Sequence, residues 1–389
     1  LVIARLSGNI IKNAMGVGIP GSEGMIGLPA AIALAVLAGK SEYNLEVLKD
    51  VTHEHVVKAK AFIDARKFQV IQARDTSEIL YVEIEARKED KVSKVIIAKE
   101  HTNFVYLKSQ EEVILDKLEE LGASDEQQSH NTDLSMQKVY DFAVNTPIDQ
   151  LRFLLESAKM NKSVSQLAFK GDYGMNIGKS LYGGGLEQRM LGQNTMPKIV
   201  IYTCAACDVR MSGAQVAVMT NSGSGNQGIA ATIPVAVFAE DTQATESKFI
   251  RALALSHLTV IYIKQLLGRL SAHCGCVIAA TGSACGITYL MGGDFNQICA
   301  AVKNQIAALT GMVCDGAKPS CSLKLSSAVS CAFQAALLSM ENICVASTDG
   351  IIESDVDRSI QNLADIGRDA MQEVDNIILK IMVNKETSV

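Results

Sequence analysis

The stretch Ile79-Leu-Tyr-Val-Glu-Ile-Glu-Ala86 alternates apolar and polar residues and is rich in β-branched side chains. Two similar segments follow at Val92–Ala98 and Asn103–Leu107, and charged residues separate all three. Such short alternating segments predict β-strands, and short connections predict antiparallel pairing. Helical periodicity at Val47–Ala65 and Glu111–Leu121 flanks the strands. These patterns predict a small α/β layer domain with a mostly antiparallel sheet.

Helical periodicity dominates the chain after this sheet. The polar stretch Gly122–Asp133 is typical of a linker, and glycine stop signals such as Gly192 and Gly292 interrupt the apolar repeats beyond it. A length of 389 residues exceeds the roughly 250 to 300 at which one core stops growing, so two or more domains are expected. The prediction is an α+β fold with an N-terminal segment at 1–40 packed on the helical domain, a small α/β domain at 41–125 and a large all-helical domain at 126–389.

Charge and hydrophobicity exclude several classes of function. A net charge of −6 without a basic stripe argues against nucleic-acid binding. The longest apolar stretches, such as Ile229–Ala239 and the helix predicted at Ile26–Ala38, are shorter than the roughly 20 residues of a membrane span. All ten cysteines lie between Cys204 and Cys344 in a long chain without a secretory signal, which indicates reduced thiols in a cytoplasmic protein. A small-molecule ligand is therefore expected.

Three cysteines in two glycine-rich contexts suggest a metal site. Cys274 follows the run Leu270-Ser-Ala-His, whereas Cys314 and Cys321 bracket Asp-Gly-Ala-Lys-Pro-Ser. Thiolates suit iron–sulfur clusters or zinc, and three protein ligands leave one coordination position for a substrate. Buried free cysteines are also common in protein cores, and Cys276 competes with Cys274 as the ligand. The spacing alone therefore leaves both metal binding and core packing open.

A polar, glycine-rich loop at residues 221–228 separates two apolar runs. Glycines permit close backbone approach, and the N–H groups at a helix start bind carboxylates or phosphates. The glycine spacing formally matches a dinucleotide fingerprint, but no βαβ pattern surrounds it. An ordinary helix-capping turn is the plainer alternative. We expect the loop to bind an anionic substrate group through Asn221, Ser222, Gly223, Ser224, Gly225, Asn226 and Gln227.

Histidines and a cysteine pair supply further candidates. His257 and His101 are candidate acid–base groups, although a hydrogen-bonded structural histidine is the more common case. Cys204-Ala-Ala-Cys207 has the spacing of a redox motif, but no thioredoxin-like strand order accompanies it. These two thiols are therefore predicted to be helical core or partly exposed residues.

The order of these motifs resembles that in the bacterial and archaeal cysteine desulfidases, distant relatives of the alpha chain of iron–sulfur L-serine dehydratases. The motifs that carry the resemblance run along the whole chain. They are Lys12-Asn-Ala-Met-Gly-Val-Gly-Ile-Pro-Gly21, His101-Thr-Asn103, Asp208-Val-Arg-Met-Ser-Gly213, Asn221–Gly228, Leu270-Ser-Ala-His-Cys274 and Cys314-Asp-Gly-Ala-Lys-Pro-Ser-Cys321.

The resemblance implies an oxygen-sensitive 4Fe–4S cluster and the conversion of L-cysteine to pyruvate, ammonia and sulfide without pyridoxal phosphate. By this resemblance Cys274, Cys314 and Cys321 hold the cluster, and the iron that lacks a protein ligand acts as a Lewis acid on the substrate. The loop at 221–228 then binds the substrate carboxylate. The other residues assigned to the amino-acid substrate are Lys12, Asn13 and Arg210.

Two departures from the family pattern leave alternatives open. The family carries a Gly-Cys-Thr-Glu-Pro segment upstream of the region that matches Leu1, and Cys204 and Cys207 stand where small residues are expected. One alternative is L-serine dehydration, which changes only the leaving group. The others are a pyridoxal-phosphate lyase using Lys170 or Lys179, and a non-catalytic protein that binds small amino acids. A homo-oligomer is a candidate state for a compact apolar chain.

Overall fold

The computed structural model describes residues 1–121, 133–183, 194–268 and 271–385. The predicted linker, apart from Asp133, lies outside the described residues, as do Gly192 and Leu270. The described residues form one six-stranded sheet and fifteen α-helices. The predicted α+β class is confirmed.

The sheet is mixed but mostly antiparallel. Its strands are β1 (Val2–Leu6), β2 (Phe68–Gln72), β3 (Tyr81–Lys88), β4 (Lys91–Ala98), β5 (Phe104–Ser109) and β6 (Glu112–Asp116). They lie in the order β2-β1-β3-β4-β5-β6. β1 pairs parallel with β2, and the other neighbouring pairs are antiparallel. The three predicted strands correspond to β3, β4 and β5, so these predictions are confirmed.

The prediction of a helix at Glu111–Leu121 is wrong. Its first half is the edge strand β6, and Leu118–Glu120 forms a single 3-10 turn. The chain reverses at Gln110, whose left-handed φ of 55° suits the tight connection of a hairpin. The short apolar run of β6 pairs with β5, so pairing with a neighbouring strand outweighs its helical spacing.

Helices make up most of the remaining structure. They are α1 (Gly8–Ala14), α2 (Gly27–Ala38), α3 (His53–Asp64), α4 (Met136–Asn145), α5 (Ile148–Leu151), α6 (Leu154–Ala168), α7 (Ile177–Tyr182), α8 (Thr195–Met211), α9 (Gly225–Asp241), α10 (Glu246–Leu267), α11 (Gly275–Leu290), α12 (Phe295–Leu309), α13 (Cys321–Met340), α14 (Val356–Asp365) and α15 (Gln372–Val383). The helix predicted at Ile26–Ala38 is α2. The helix predicted from Val47 begins only at His53, where Thr52 forms a capping box.

The first strand of the chain lies inside the sheet, between β2 and β3. Its alternate residues Val2, Ala4 and Leu6 are buried and share a hydrophobic cluster with Leu379 of α15. Helix α1 follows and also packs against α15. The N-terminal segment therefore contacts both the sheet and the last helix, while the domain boundaries at 40 and 125 stay a prediction.

Helix α11 lies at the centre of the helical core, where it contacts α9, α10, α12 and α13. Both α9 and α11 are buried on nearly all sides, as expected for helices that are apolar all round. Helices α10 and α11 approach each other closely at Gly282, because a Cβ added to Gly282 would lie 2.3 Å from the Ser256 carbonyl oxygen. This packing fixes where the first turns of α9, α11 and α13 lie.

Two of the described helices, α10 and α13, are long and apolar enough to cross a membrane by length and composition. Buried residues make up 78% of the apolar window of α10 and 39% of that of α13. Two such helices are weak evidence for a membrane protein, because the core helices of soluble proteins satisfy the same test.

Candidate active site

A short backbone bridge ties Cys274 to Cys314. The Cys274 N–H donates to the Met312 carbonyl at 2.9 Å, and the Cys314 N–H donates to the Ala272 carbonyl at 2.6 Å. Cys274 caps the start of α11, and Cys321 is the first residue of α13. The fold thus brings the three predicted ligands to the same ends of two packed helices.

The thiols are close enough to change one another's pKa. A hydrogen bond from Cys276 lowers the pKa of Cys274 to about 7. Burial raises the pKa of Cys314 and of Cys321, and the charge of the neighbouring thiols adds to this effect. Cys274 is therefore the thiol of this group that ionises most readily, and the thiolate is the form that binds metal.

Two lysines add positive charge beside the thiols. The Lys318 ammonium lies 2.6 Å from the Asp315 carboxylate, and Lys324 contacts the same group. Burial favours the neutral acid, but the two lysines lower the pKa of Asp315 to about 2. Lys324 also donates to the Val313 carbonyl at 2.8 Å, next to Cys314. These contacts hold the loop between Cys314 and Cys321 and favour anions close to it.

The thiols are donors of the type that an iron–sulfur cluster takes. Among the described residues, no group of three His, Cys, Asp or Glu side chains is arranged to hold one metal ion. A 4Fe–4S cluster makes a different demand, because each thiolate binds a different iron and the thiols surround the cluster. Three thiols that affect one another's pKa, with lysines beside them, are the residues that would hold such a group.

The glycine-rich loop is a tight turn that leads into a helix cap. Asn221 and Ser224 exchange backbone hydrogen bonds of 3.2 and 3.0 Å. Between them Ser222 and Gly223 have left-handed φ values of 49° and 78°. The Ser224 hydroxyl then accepts the Gln227 N–H at 3.4 Å and caps α9. The helix-capping turn that the sequence left open is thus present in the structure. The first N–H groups of α9 lie at this loop.

Gln227 connects the loop to the cysteines. A Cβ added to Gly275, next to Cys274, would lie 3.0 Å from the Gln227 side chain, so a larger residue would disturb this contact. Within the described part of the chain, the buried Gln227 Oε1 has no hydrogen-bond partner. An unpaired buried acceptor costs roughly 1 to 3 kcal/mol. A ligand that donates a hydrogen bond here would remove that cost.

Arg210, in the last turn of α8, joins the loop and the thiols. Its guanidinium donates to Asn226 Oδ1 at 3.1 Å, and its charge acts on Cys207, Cys276 and Cys321. Burial lowers the pKa of Arg210. No carboxylate among the described residues forms an ion pair with this guanidinium. A desolvated guanidinium surrounded by thiols is suited to an anionic ligand.

His257 lies in the core beneath the loop. Its Nδ1 is 2.9 Å from the Asn221 side-chain amide, which also donates to the His257 carbonyl at 3.2 Å. Its Nε2 is 3.1 Å from the Thr232 hydroxyl. Burial lowers the pKa of His257 to about 4, so the ring is neutral near pH 7. Because the Asn221 amide nitrogen can only donate, Nδ1 is the acceptor and Nε2 carries the proton.

Replacing His257 with glutamine is expected to remove a pH-dependent contribution to folding. Burial lowers the folded-state pKa from 6.5 to about 4, so between these values the folded chain binds fewer protons than the unfolded chain. The contribution is complete above pH 6.5 and is lost as the pH falls toward 4, by roughly 2 to 4 kcal/mol. Chemical unfolding at about pH 7.5 and about pH 4.5 should therefore show the larger destabilisation at the higher pH.

The matched control is His101→Gln. His101 is exposed in the turn between β4 and β5, and no hydrogen bond joins it to the loop or the cysteines among the described residues. Its replacement should change the free energy of unfolding little at either pH. An equal loss of stability for His257→Gln at both pH values would contradict the buried neutral state. The structure thus brings His257, but not His101, to the predicted loop.

Asp208 and Ser322 form a hydrogen-bonded pair that the sequence did not predict. Asp208 accepts the Ser322 hydroxyl at 2.7 Å and the Gly178 N–H at 3.0 Å. Burial raises the pKa of Asp208. The Cys204 thiol donates to the Ser322 carbonyl at 3.3 Å, and both Cys204 and Cys207 are fully buried on α8. The prediction of helical core thiols is confirmed, and these contacts fix the first turn of α13.

The N-terminal motif packs under the cysteine loop. The Gly18 N–H donates to the Met211 carbonyl at 3.2 Å at the end of α8. A Cβ added to Gly316, whose φ is 93°, would lie 2.1 Å from the Lys12 carbonyl oxygen. The Lys12 ammonium is buried 2.5 Å from Asp375, and Asn13 donates to the Asn9 carbonyl at 2.9 Å. The backbone of this motif therefore supports the site, while these two predicted substrate-binding side chains bond elsewhere.

Known sequences place the chain in a family. The family model of the serine dehydratase alpha chain matches residues 42–380. A UPF0597 protein of Phocaeicola vulgatus is 55% identical over 383 residues, which cover 98% of this chain and 88% of that protein. UPF0597 proteins of Bacteroides thetaiotaomicron and Shewanella pealeana are 53% and 41% identical, with the same shares of both chains covered. The chain therefore belongs to the serine dehydratase alpha-chain family of lyases, among its UPF0597 members.

Proposed function

We propose that this chain is an iron–sulfur amino-acid lyase that converts L-cysteine and water to pyruvate, ammonia and hydrogen sulfide. One observation carries the proposal: three thiols, a guanidinium without a carboxylate partner in the described chain, and a polar loop converge on the starts of α9, α11 and α13. The thiols suit a metal cluster, and the guanidinium suits an amino-acid carboxylate. Membership of the family supports lyase chemistry.

Cys274, Cys314 and Cys321 would hold a 4Fe–4S cluster through their thiolates. With three protein ligands, such a cluster supplies a Lewis-acidic iron to the substrate. Lys318 and Lys324 would compensate the negative charge of the thiolates. The close approach of the Gln227 side chain to Gly275 supports a substrate loop beside the first of these ligands.

Arg210 would bind the substrate carboxylate with two charge-assisted hydrogen bonds. The N–H groups at the start of α9 add donors, although the helix dipole contributes only ~0.3 to 1 kcal/mol. The unpaired Gln227 Oε1 would accept a hydrogen bond from the substrate ammonium group. Two anchors at the ends of the α-amino acid fix the direction of its side chain and its Cα proton.

His257 would act as a positioning residue in this scheme. The lone pair of Nδ1 already accepts from Asn221, and the proton on Nε2 is directed at Thr232. A histidine occupied in this way orients the loop and has no free nitrogen for the Cα proton. We therefore assign His257 to holding Asn221 instead of the acid–base role predicted from sequence.

L-serine dehydration is the second candidate, and the name of the matching family favours it. The carboxylate and ammonium contacts proposed for Arg210 and Gln227 are the same for both substrates. Only the leaving group differs, a hydroxyl in place of a thiol. The proposed function therefore has to be tested with both amino acids.

The test is anaerobic reconstitution followed by iron and sulfide analysis and a pyruvate assay. About four irons per chain, with pyruvate and sulfide formed from L-cysteine in equal amounts, are expected. Faster pyruvate formation from L-serine would move the assignment to the dehydratase. A chain that takes up no iron and forms no pyruvate from either amino acid would overturn the proposal and favour a binding role.

Replacing Gly225 with alanine is expected to raise the KM for the substrate at least about tenfold. An added Cβ would lie 2.2 Å from Arg210 Nε and 2.8 Å from its Cδ, so the guanidinium has to move. Alanine also favours a helix by about 1 kcal/mol over glycine, so the fold should persist. Steady-state kinetics measure the effect. Gly311→Ala is the control because nothing lies within 4 Å of its added Cβ, and an unchanged KM for Gly225→Ala would contradict the role of Arg210.

We also propose that the protein resides in the cytoplasm. Its ten cysteines are all free in the structure, and reduced thiols persist in a reducing compartment. The proposed cluster ligands also need to be reduced to bind iron. Fractionation of cells that express the complete protein tests this location, and recovery in an extracytoplasmic fraction would contradict it.

A further inference from the structure

A cavity lies beside the Lys12 side chain. Its volume is about 300 Å³, and it opens between the start of α1, the connection from β2 to β3, and α15. Lys12 and Asp375 form a buried ion pair of 2.5 Å at its wall, and the Asn9 side-chain amide donates to the same carboxylate at 3.1 Å. These contacts neutralise the two charges of the pair.

Two further charges line the same cavity without pairing. The exposed Arg74 and the half-buried Glu78 both line it, and neither forms an ion pair in the described part of the chain. The buried Oδ1 of Asn9 likewise finds no hydrogen-bond partner among the described residues. The cavity wall therefore offers one free cation, one free anion and one unpaired acceptor.

We propose that this cavity binds a small zwitterionic α-amino acid at a site separate from the cysteine site. Its carboxylate would pair with Arg74, and its ammonium group would meet Glu78 and Asn9 Oδ1. A phosphate or a dicarboxylate would be repelled by the unpaired Glu78, and a polyamine by Arg74. The volume, at the lower end of the range for ligand pockets, suits a ligand of this size.

Lys12 gives the cavity a physical connection to the cysteine loop. Its side chain lines the cavity, while its carbonyl oxygen packs against Gly316 and its charge acts on Cys314. A ligand that draws Lys12 away from Asp375 would change the support under that loop. The binding proposal does not depend on the reaction proposed above, because none of the cysteines lines this cavity.

Equilibrium binding of L-alanine to the reconstituted protein tests the proposal. L-alanine has no β-leaving group, so binding is measured without turnover. The wild type is expected to bind about two molecules per chain, one at each site. Arg74→Gln and Glu78→Gln should each weaken the second site by roughly tenfold or more, whereas the control Arg358→Gln, an exposed arginine outside the cavity, should not.

The outcomes separate the two proposals. Binding of no more than one molecule per chain, unchanged by Arg74→Gln and Glu78→Gln, would overturn the second site. Loss of one molecule in Arg74→Gln and of the other in Arg210→Gln would support both sites. If Arg74→Gln loses one bound molecule and Arg210→Gln binds as many molecules as the wild type, the second site is supported and the carboxylate role of Arg210 is contradicted.

Discussion

Replacing Cys314 with alanine is expected to abolish cluster binding while the fold persists. Cys314 is held by the bridge to Ala272, and its thiol lies within electrostatic reach of Cys274 and Cys321. Two thiols would then remain for a cluster that needs at least three ligands in this arrangement. The iron content after anaerobic reconstitution should fall at least about tenfold, and pyruvate formation should disappear with it.

The control for this experiment is Cys331→Ala. Cys331 also lies on α13 and is partly buried, but it is not among the thiols that act on Cys274 or Cys314. Its replacement should leave iron content and absorbance unchanged. Either substitution should cost about 1 kcal/mol of folding free energy, which circular dichroism and thermal unfolding would confirm. Wild-type iron content in Cys314→Ala would remove Cys314 from the ligand set.

The sheet shows which parts of the fold the sequence predicts. Strands β3, β4 and β5 carry their own alternating pattern, so local sequence was sufficient for them. The run at Val113–Leu115 is too short for its period to separate helix from strand, and its pairing with β5 decides the outcome. β1 was missed because its two partners follow it by many residues, and local sequence carries no sign of that pairing.

In the candidate site, too, local sequence predicts some residues and long-range contacts decide the others. The glycine loop and the cysteines could be proposed from the sequence because few other residues can replace a left-handed glycine or a thiolate ligand. Ser322 was missed because its importance lies in a contact with Asp208 across two helices. The positioning role proposed for His257 depends on its burial and on two hydrogen-bond partners, and neither can be derived from its neighbours in sequence. Long-range contacts therefore determine the residue roles that sequence motifs alone do not.

Replacing Arg210 with glutamine is expected to lower kcat/KM by roughly 10² to 10⁴. Two charge-assisted hydrogen bonds to a carboxylate contribute about 1.5 to 3 kcal/mol each, and glutamine cannot replace their charge. Arg210→Lys keeps the charge but loses the planar two-point geometry, so its kcat/KM should lie between those of the wild type and Arg210→Gln. Most of the loss should appear in KM if the guanidinium binds the ground state and the transition state equally.

Iron analysis and a second arginine separate this effect from damage to the site. Arg210 also lies near the thiols, so iron content has to be measured for each variant before its kinetics are compared. Arg251 is the matched control, because it donates to the Ala143 and Thr146 carbonyls at 2.8 and 3.1 Å and takes no part in the loop. Arg251→Gln should lower the thermal stability and leave KM unchanged. An Arg210→Gln variant with full iron content and a wild-type KM would show that another group binds the substrate carboxylate.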